Sequence, residues 1–356
     1  WDAGVPADND VVVIAAGHVV EFDVDQSGFA NGIDGLTITG QLSLTRTAGT
    51  YYLKIKAAKT INGAGTFDCG TAVSIIPFAA KHTISGGAAW YINGSAGLTV
   101  TVYAAEPVIK TVKLTNSKGI GDTVLEVDTD ITGDIWADGD TISIDNLYLT
   151  NASEKRIIAV GGRAASSITI TTGLTAVKSA GTYIHLITRN VKFLGAGASG
   201  YILQNFKTNK LVIGGGQFST ENYRVCNMCT GVTITGGTFN GNTGVLFNSS
   251  IGRIDGGIFS NSPPALSFNA LTITGGTFSG SQNLMTGYGH TILGGNFVCN
   301  GNLFSSVHST FILGGTFNYN NRGIYNSSVV LQNISILNSL TADIDTSSFS
   351  AFNVTL

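Results

Sequence analysis

The densest group of potential metal ligands in the sequence is a run of aspartates. Five of them fall within the thirteen residues 128–140, and carboxylate oxygens of this kind bind calcium. Their spacing does not follow the D-x-D-x-D-G pattern of a calcium loop. Aspartates in glycine-rich turns also accept hydrogen bonds from their own backbone. We therefore expect turn-forming aspartates, with calcium as the alternative and no other cofactor, at Asp128, Asp130, Asp134, Asp138 and Asp140.

Carboxylate pairs, which polysaccharide hydrolysis requires, are sparse in the C-terminal part of the chain. Glycosidases place two carboxylates about 5–5.5 Å or 6.5–9.5 Å apart. Residues 200–356 contain only four acids, namely Glu221, Asp255, Asp343 and Asp345. The pattern assigns no catalytic residue.

Aromatic and amide side chains are the candidates for binding a ligand. Trp90, Tyr91 and Tyr148 could stack on sugars, or they could equally pack between two parts of the fold. Asn227 and Asn248 each follow a repeated phenylalanine by nine residues, as does Asn326. This spacing favours a partial ladder of stacked amides at a turn, with a sugar-binding row as the alternative.

The cysteines give no clear metal or disulfide pattern. Cys226 and Cys229 form a single C-x-x-C, whereas a structural zinc site needs four ligands. We expect two half-buried thiols there. Cys69 and Cys299 have no partner near them in sequence, so no disulfide framework is indicated.

The element that must position these residues is a repeat of about twenty residues in the C-terminal half. An isoleucine, a Gly-Gly pair and a phenylalanine recur in each copy, and such a period predicts a solenoid. The repeated positions are Ile213 and Phe218, Ile234 and Phe239, Ile254 and Phe259, Ile273 and Phe278, Ile292 and Phe297, and Ile312 and Phe317.

The residue types within the repeat select the kind of solenoid. Threonine, isoleucine, phenylalanine, asparagine and glycine favour strands and turns, and no segment favours a helix. The sequence therefore predicts an all-β fold, a right-handed parallel β-helix with coils of about 20 residues. The repeated phenylalanines and isoleucines would fill its interior, because one coil cannot bury its apolar face alone. Glycines would form the corners, where the backbone needs a positive φ or a close approach.

Three parts follow one another along the chain. Residues 1–105 read as a β-rich N-terminal module, residues 106–190 as a small inserted β module, and residues 191–356 as β-helix coils with a C-terminal cap. The segment 327–337 lacks the Gly-Gly-x-Phe signature and is predicted to be a last, atypical coil.

Composition restricts the class of protein. The chain is 43% hydrophobic but only 12% charged, and it contains 47 glycines, a balance typical of an extracellular or virion all-β protein. A net charge of −3 gives no electrostatic case for nucleic-acid binding. No apolar run approaches eighteen residues, so no membrane-spanning helix is expected.

The N-terminal segment resembles a known domain family. "WDAGVPADNDVVVIAAGHVVEFDVD", followed by "GLTITGQLSL", is similar to the domain named for its eight glycines, which occurs in animal cell-surface hyaluronidases and in bacterial and phage proteins. The matching residues are Trp1, Pro6, Asp10, Gly17, His18 and Val20. Segments 135–144, 154–160 and 184–195 resemble the part that joins this domain to a β-helix, and the whole resembles β-helical proteins of tailed phages.

This resemblance and the missing acid pairs imply a non-enzymatic structural or adhesive protein of a phage virion. It could be a tail fibre, a tailspike-like protein or a capsid decoration, in the virion or on a cell surface. The expected partners are other virion or surface proteins and a cell-surface polysaccharide, and a homotrimer is expected by analogy. The alternatives are a polysaccharide lyase or hyaluronidase-like enzyme, a bacterial surface adhesin and a carbohydrate-binding module.

Overall fold

The computed structural model describes residues 5–145, 154–195, 201–220, 224–241, 247–261, 266–280, 285–299, 304–319, 324–337 and 344–355. The chain divides into two compact units. The solenoid unit contains Trp1–Ala105 and Asn190–Leu356, and the inserted unit is Glu106–Arg189. Tyr148 and the side chain of Asn326 lie outside the described residues.

Short strands form the solenoid unit. Its first strands are β1 (Val12–Ile14), β2 (Val19–Phe22), β3 (Leu36–Ile38), β4 (Gln41–Leu44), β5 (Gly49–Ile55), β6 (Thr60–Asn62), β7 (Thr66–Cys69), β8 (Ala80–Gly86), β9 (Tyr91–Asn93) and β10 (Thr99–Val102). The inserted unit holds β11 (Thr111–Lys113), β12 (Val124–Glu126), β13 (Thr141–Asp145), β14 (Glu154–Ala164), β15 (Ser167–Ile170) and β16 (Tyr183–Leu186).

The solenoid unit then resumes. Its later strands are β17 (Val191–Gly195), β18 (Leu203–Gln204), β19 (Leu211–Ile213), β20 (Gln217–Thr220), β21 (Cys226–Ile234), β22 (Thr238–Gly241), β23 (Phe247–Ile254), β24 (Ile258–Asn261), β25 (Leu266–Ile273), β26 (Thr277–Gly280), β27 (Met285–Tyr288), β28 (Thr291–Ile292), β29 (Asn296–Cys299), β30 (Phe304–His308), β31 (Thr310–Ile312), β32 (Thr316–Tyr319), β33 (Ile324–Leu337) and β34 (Ile344–Thr355).

Parallel pairing between successive coils builds the solenoid. β20 pairs in parallel with β22, β22 with β24, β24 with β26, β26 with β29 and β29 with β32. Side chains alternate between the interior and the outer surface along each strand, as the pleat requires. The described residues contain no helix. The predicted all-β parallel β-helix is confirmed.

Stacked phenylalanines form the centre of the core. Their rings lie nearly parallel on successive coils, with centroids 4.7 to 5.2 Å apart. The stack consists of Phe193, Phe218, Phe239, Phe259, Phe278, Phe297 and Phe317. Every member is at most 1% exposed, so the repeat is a packing unit and its phenylalanines are not available to a ligand.

The repeated isoleucines form a second internal row. Their Cα atoms are register partners from Ile213 on β19 to Ile312 on β31. The Gly-Gly pair after each isoleucine turns the chain toward the phenylalanine strand. Gly257 has a φ of 101°, and a Cβ at Gly256 would lie 2.5 Å from the carbonyl oxygen of Thr235 in the preceding coil. Both reasons expected for the glycines, positive φ and close approach, therefore apply at this corner.

The inserted unit is built from antiparallel strands. Its sheet has the order β11, β16, β13, β14, β15, β12. Alternating apolar residues, such as Ile142 and Ile144 on β13, point to a core of their own that includes Trp136 and Ile168. Because antiparallel strands can be joined by short turns, this segment forms a complete sheet from its own strands.

Two expectations are corrected. The segment 327–337 is not the last coil, because β34 continues the solenoid by pairing in parallel with β33. Cys226 and Cys229 are not half-buried thiols; both are fully buried and joined as a disulfide. Residues three apart on a regular strand point to opposite faces, but Met228 has a φ of 53° and interrupts the register of β21, which turns both sulfurs to the same side.

Candidate functional site

A groove opens on the outward face of the solenoid unit. Its volume is about 510 Å³. We call it the β5–β8–β17 groove. Eleven residues line it: Ala30, Asn31, Tyr52, Lys54, Lys56, Ala57, Ser85, Gly86, Gly87, Leu194 and Gly195.

Parallel register brings the lining residues together although they are far apart in sequence. Lys54 on β5 pairs with Ser85 on β8, and Ser85 pairs with Leu194 on β17. Their neighbours along each strand, among them Ile84 and Phe193, point into the core. The three lining residues therefore point outward on adjacent coils. Gly86 on β8 and Gly195 on β17 follow two of these residues, and because glycine has no side chain, the surface is recessed there.

One wall of the groove is the loop before Gly32. The Lys54 ammonium group donates hydrogen bonds to the carbonyl oxygens of Phe29 and Ala30, the second at 3.2 Å. The Asp8 carboxylate accepts hydrogen bonds from the backbone N–H of Asn31 at 3.1 Å and of Gly32 at 2.7 Å. The Lys54 bonds hold the loop against β5. Desolvation raises the pKa of Asp8, but the backbone hydrogen bonds to its carboxylate outweigh this effect and lower the pKa. The wall is therefore preformed.

Two hydroxyl groups meet in the groove. The Tyr52 and Ser85 oxygens are 2.5 Å apart, and either one can donate the hydrogen bond. Each oxygen keeps a further lone pair for a ligand. Neighbouring hydroxyls of this kind can pair with the hydroxyl groups of a sugar.

Lysines dominate the charge of the groove. Lys54 and Lys56 belong to its lining, which includes no carboxylate. Asp34 lies beside it, with an oxygen 2.7 Å from Lys59 Nζ and an oxygen 4.0 Å from Lys56 Nζ. The hydrogen bond from Lys59 is the main cause that lowers the pKa of Asp34. The groove can therefore bind polar and anionic groups, and its lining offers no carboxylate pair for hydrolysis.

Trp90 supports the groove from below. It is 1% exposed, and its indole N–H donates a hydrogen bond to the Leu194 carbonyl oxygen at 2.9 Å. A Cβ at Gly86 would lie 2.6 Å from the Trp90 ring, so only glycine fits above it. Its burial supports the alternative that Trp90 packs inside the fold and leaves the ring unavailable for stacking on a sugar. Tyr91 is half-buried on β9, and its role in sugar binding stays a prediction.

Amide side chains follow one another on successive coils. Asn93, Gln204, Asn227 and Asn248 are register partners in turn, and Asn248 donates a hydrogen bond to Asn227 at 3.2 Å. This bond supports the amide-ladder interpretation for these two residues. Asn326 has no described side chain. Sequence reasoning missed Asn93 and Gln204, because the inserted unit separates them.

The aspartates of segment 128–140 bind the backbone around them. Asp134 accepts hydrogen bonds from the N–H groups of Val108 and Ile109, and Asp128 accepts one from Lys113 at 2.9 Å. In the same way Asp130, Asp138 and Asp140 accept backbone hydrogen bonds from Thr132, Gly161 and Ala137. The bonds to Asp130 and Asp140 come from residues two and three positions away and support the turn interpretation. The bonds named for Asp128, Asp134 and Asp138 come from other segments of the inserted unit. No group of three or more potential metal ligands occurs among the described residues, and calcium stays a prediction.

The comparisons with known proteins give a low level of similarity. No protein-family model and no curated protein matches the chain, so its resemblance to the eight-glycine domain stays a prediction. Four chains of solved structures match. In the part of the chain that the structure describes, no helix is long and apolar enough to cross a membrane.

Two of the matching structures are phage tailspikes. The Gp54 tailspike of Acinetobacter baumannii bacteriophage AP22, solved in complex with A. baumannii capsular saccharide, is 11% identical with a TM-score of 0.22. That match covers 89% of this chain and 64% of the tailspike chain. The Pseudomonas phage phi297 tailspike gp61 is 12% identical with a TM-score of 0.22, over 87% of this chain and 66% of the tailspike. The chain thus spans slightly under two thirds of each tailspike.

Proposed function

We propose that this protein is a non-enzymatic, glycan-binding β-helical protein of a phage virion, and that the β5–β8–β17 groove is its binding site. The groove itself supports the proposal. Its volume of about 510 Å³ lies in the range of ligand pockets, and its wall is held in place without a ligand. Hydroxyl, ammonium and amide side chains belong to its lining. The phage setting comes from the sequence resemblance, and the trimer and the protein partners stay predictions.

The chemistry of the lining fits binding and not cleavage. Sugars present many hydroxyl groups, which pair with the Tyr52 and Ser85 hydroxyls and with the Asn31 side chain at the rim. Hydrolysis would need two carboxylates, and the eleven lining residues provide none. A glycan bound in the groove would therefore not be cleaved, as attachment to a surface requires.

Binding to immobilised bacterial capsular polysaccharides tests the proposal. We expect the purified chain to be retained by part of such a panel. The substitution Tyr52→Phe removes one hydroxyl from the groove and should weaken retention about three- to tenfold, the worth of one hydrogen bond. Tyr288→Phe is the matched control, because Tyr288 is 58% exposed and is not part of the lining. Absence of binding to every polysaccharide, or equal loss in the two variants, would contradict the proposal.

A further inference from the structure

The charges in the lining of the β5–β8–β17 groove are unbalanced. The lining contains Lys54 and Lys56 and no carboxylate, whereas Lys59, Asp34 and Asp25, the register partner of Tyr52, lie beside it. The Asp8 carboxylate, on the far side of the loop, is occupied by backbone N–H groups. The chain as a whole carries a net charge of −3, so this local excess of positive charge runs against the general composition.

The two lysines of the lining have different surroundings. The Lys54 ammonium group is held by two carbonyl oxygens of the groove wall. The Lys56 ammonium group is 4.0 Å from Asp34, at the outer limit of an ion pair, because Asp34 binds Lys59 more closely at 2.7 Å. The Lys56 side chain is 35% exposed. Lys54 is therefore a positioning residue, whereas Lys56 is able to reorient toward a ligand.

We propose that the groove selects glycans whose repeating unit carries a carboxylate, and that Lys56 forms the ion pair with this carboxylate. This inference rests on the proposed function and narrows its ligand to acidic polysaccharides. The Tyr52–Ser85 hydroxyl pair then binds the hydroxyls of the same or the adjacent sugar. Charge-assisted hydrogen bonds to a carboxylate are about twice as strong as neutral ones, which gives the discrimination.

Asp34 competes with the ligand for Lys56. Removal of its charge by Asp34→Asn frees Lys56 and should raise the affinity for an acidic glycan. Lys59→Met removes the closer ion-pair partner of Asp34. Asp34 can then pair only with Lys56, which should lower the affinity for an acidic glycan. A purely structural role of these residues would not give opposite effects on ligand binding.

The experiment compares each acidic capsular polysaccharide that the protein retains with the same polymer after chemical reduction of its carboxyl groups to alcohols. Affinity is measured at low and high salt for the wild type and for Lys56→Met, Asp34→Asn, Lys59→Met and the control Lys81→Met. Lys81 is exposed in the solenoid unit and does not line the groove. Circular dichroism and thermal unfolding verify that each variant is folded.

We expect the wild type to bind the acidic polymer about five- to tenfold more tightly than its reduced form, with the difference shrinking at high salt. Lys56→Met should abolish this difference, and Lys81→Met should keep it. Equal binding of both polymers overturns the inference and leaves the proposed function in place. If the protein retains only neutral polysaccharides, the inference is likewise overturned and the proposed function stays in place. Absence of binding to any polysaccharide overturns both.

Discussion

Protonation of His290 bears strongly on stability. It is fully buried, and burial lowers its pKa to about 4, against an ordinary value of 6.5. Between these two values the unfolded chain binds a proton that the folded chain does not. Stability should therefore fall as the pH drops from 6.5 to 4, and the full loss of about 3 kcal/mol is present below pH 4.

Chemical denaturation at a series of pH values checks this prediction. His290→Leu removes the ionisable group, so the free energy of unfolding should depend less on pH between 4 and 6.5. His18→Leu serves as the control, because it makes the same substitution at an exposed position. If His290→Leu kept the full slope of the wild type, burial would not lower the pKa of His290 in the folded protein.

Gly257 tests the corner geometry of the repeat. Its φ of 101° lies in a region that side chains with a Cβ rarely adopt, and the Phe259 ring is 3.2 Å from the position of an added Cβ. Gly257→Ala should therefore lower the free energy of unfolding by about 1–3 kcal/mol. Gly28→Ala is the matched substitution, since an added Cβ there has no neighbour within 4 Å and φ is not positive. Equal stability of the two variants in urea would disprove the strain argument.

At the scale of elements, the sequence predicts what repeats and misses what does not. The spacing of Phe218 and its successors identifies the core stack, because each coil presents the same residue at the same phase. Phe193 belongs to the same stack, but no isoleucine and Gly-Gly pair precede it. The groove was not predicted for a related reason. Its residues Lys54, Ser85 and Leu194 become neighbours only through strand register, across the inserted unit.

The same difference explains why the sequence leaves two interpretations of Trp90 open. A tryptophan near the end of a module reads equally as a surface platform or as a packed residue. The deciding contacts come from Gly86, four residues before it, and from the Leu194 carbonyl on β17. Only the second is distant in sequence, and it fixes the ring below the groove.

The phenylalanine stack should carry much of the stability of the C-terminal coils. Phe259 is fully buried between the rings of Phe239 and Phe278, each with its centroid 4.7 Å away. Phe259→Ala removes these two contacts and a third, with the Phe247 ring, and leaves a cavity, so it should cost about 3–5 kcal/mol. Phe311→Ala is the control of the same size, because Phe311 is 49% exposed on β31. Urea unfolding of the two variants gives the comparison, and similar losses would mean that the stack is not a stabilising element.

At the scale of the whole molecule, the solenoid unit depends on two distant segments of the chain. β8, β9 and β10 are followed in space by β17, β18 and β19, which come after the inserted unit. The Asn190 amide fixes the return of the chain by donating hydrogen bonds to the carbonyl oxygens of Ile76 at 3.0 Å and Pro77 at 2.9 Å. Pairing across so long a separation is slow to form, because a large loop must close first.

The described strands of the inserted unit do not need partners from a distant segment of the chain, and this predicts how fragments behave. Its strands pair among themselves, and its own core includes Trp136 and Ile168. A fragment of residues 106–189 should therefore be monomeric and unfold in one cooperative transition. A fragment of residues 1–105 should aggregate, because the edges of β8, β9 and β10 would lose their partners. Circular dichroism melting and size-exclusion chromatography distinguish these outcomes. A fragment 106–189 without a cooperative transition would mean that the inserted unit needs the solenoid unit to fold.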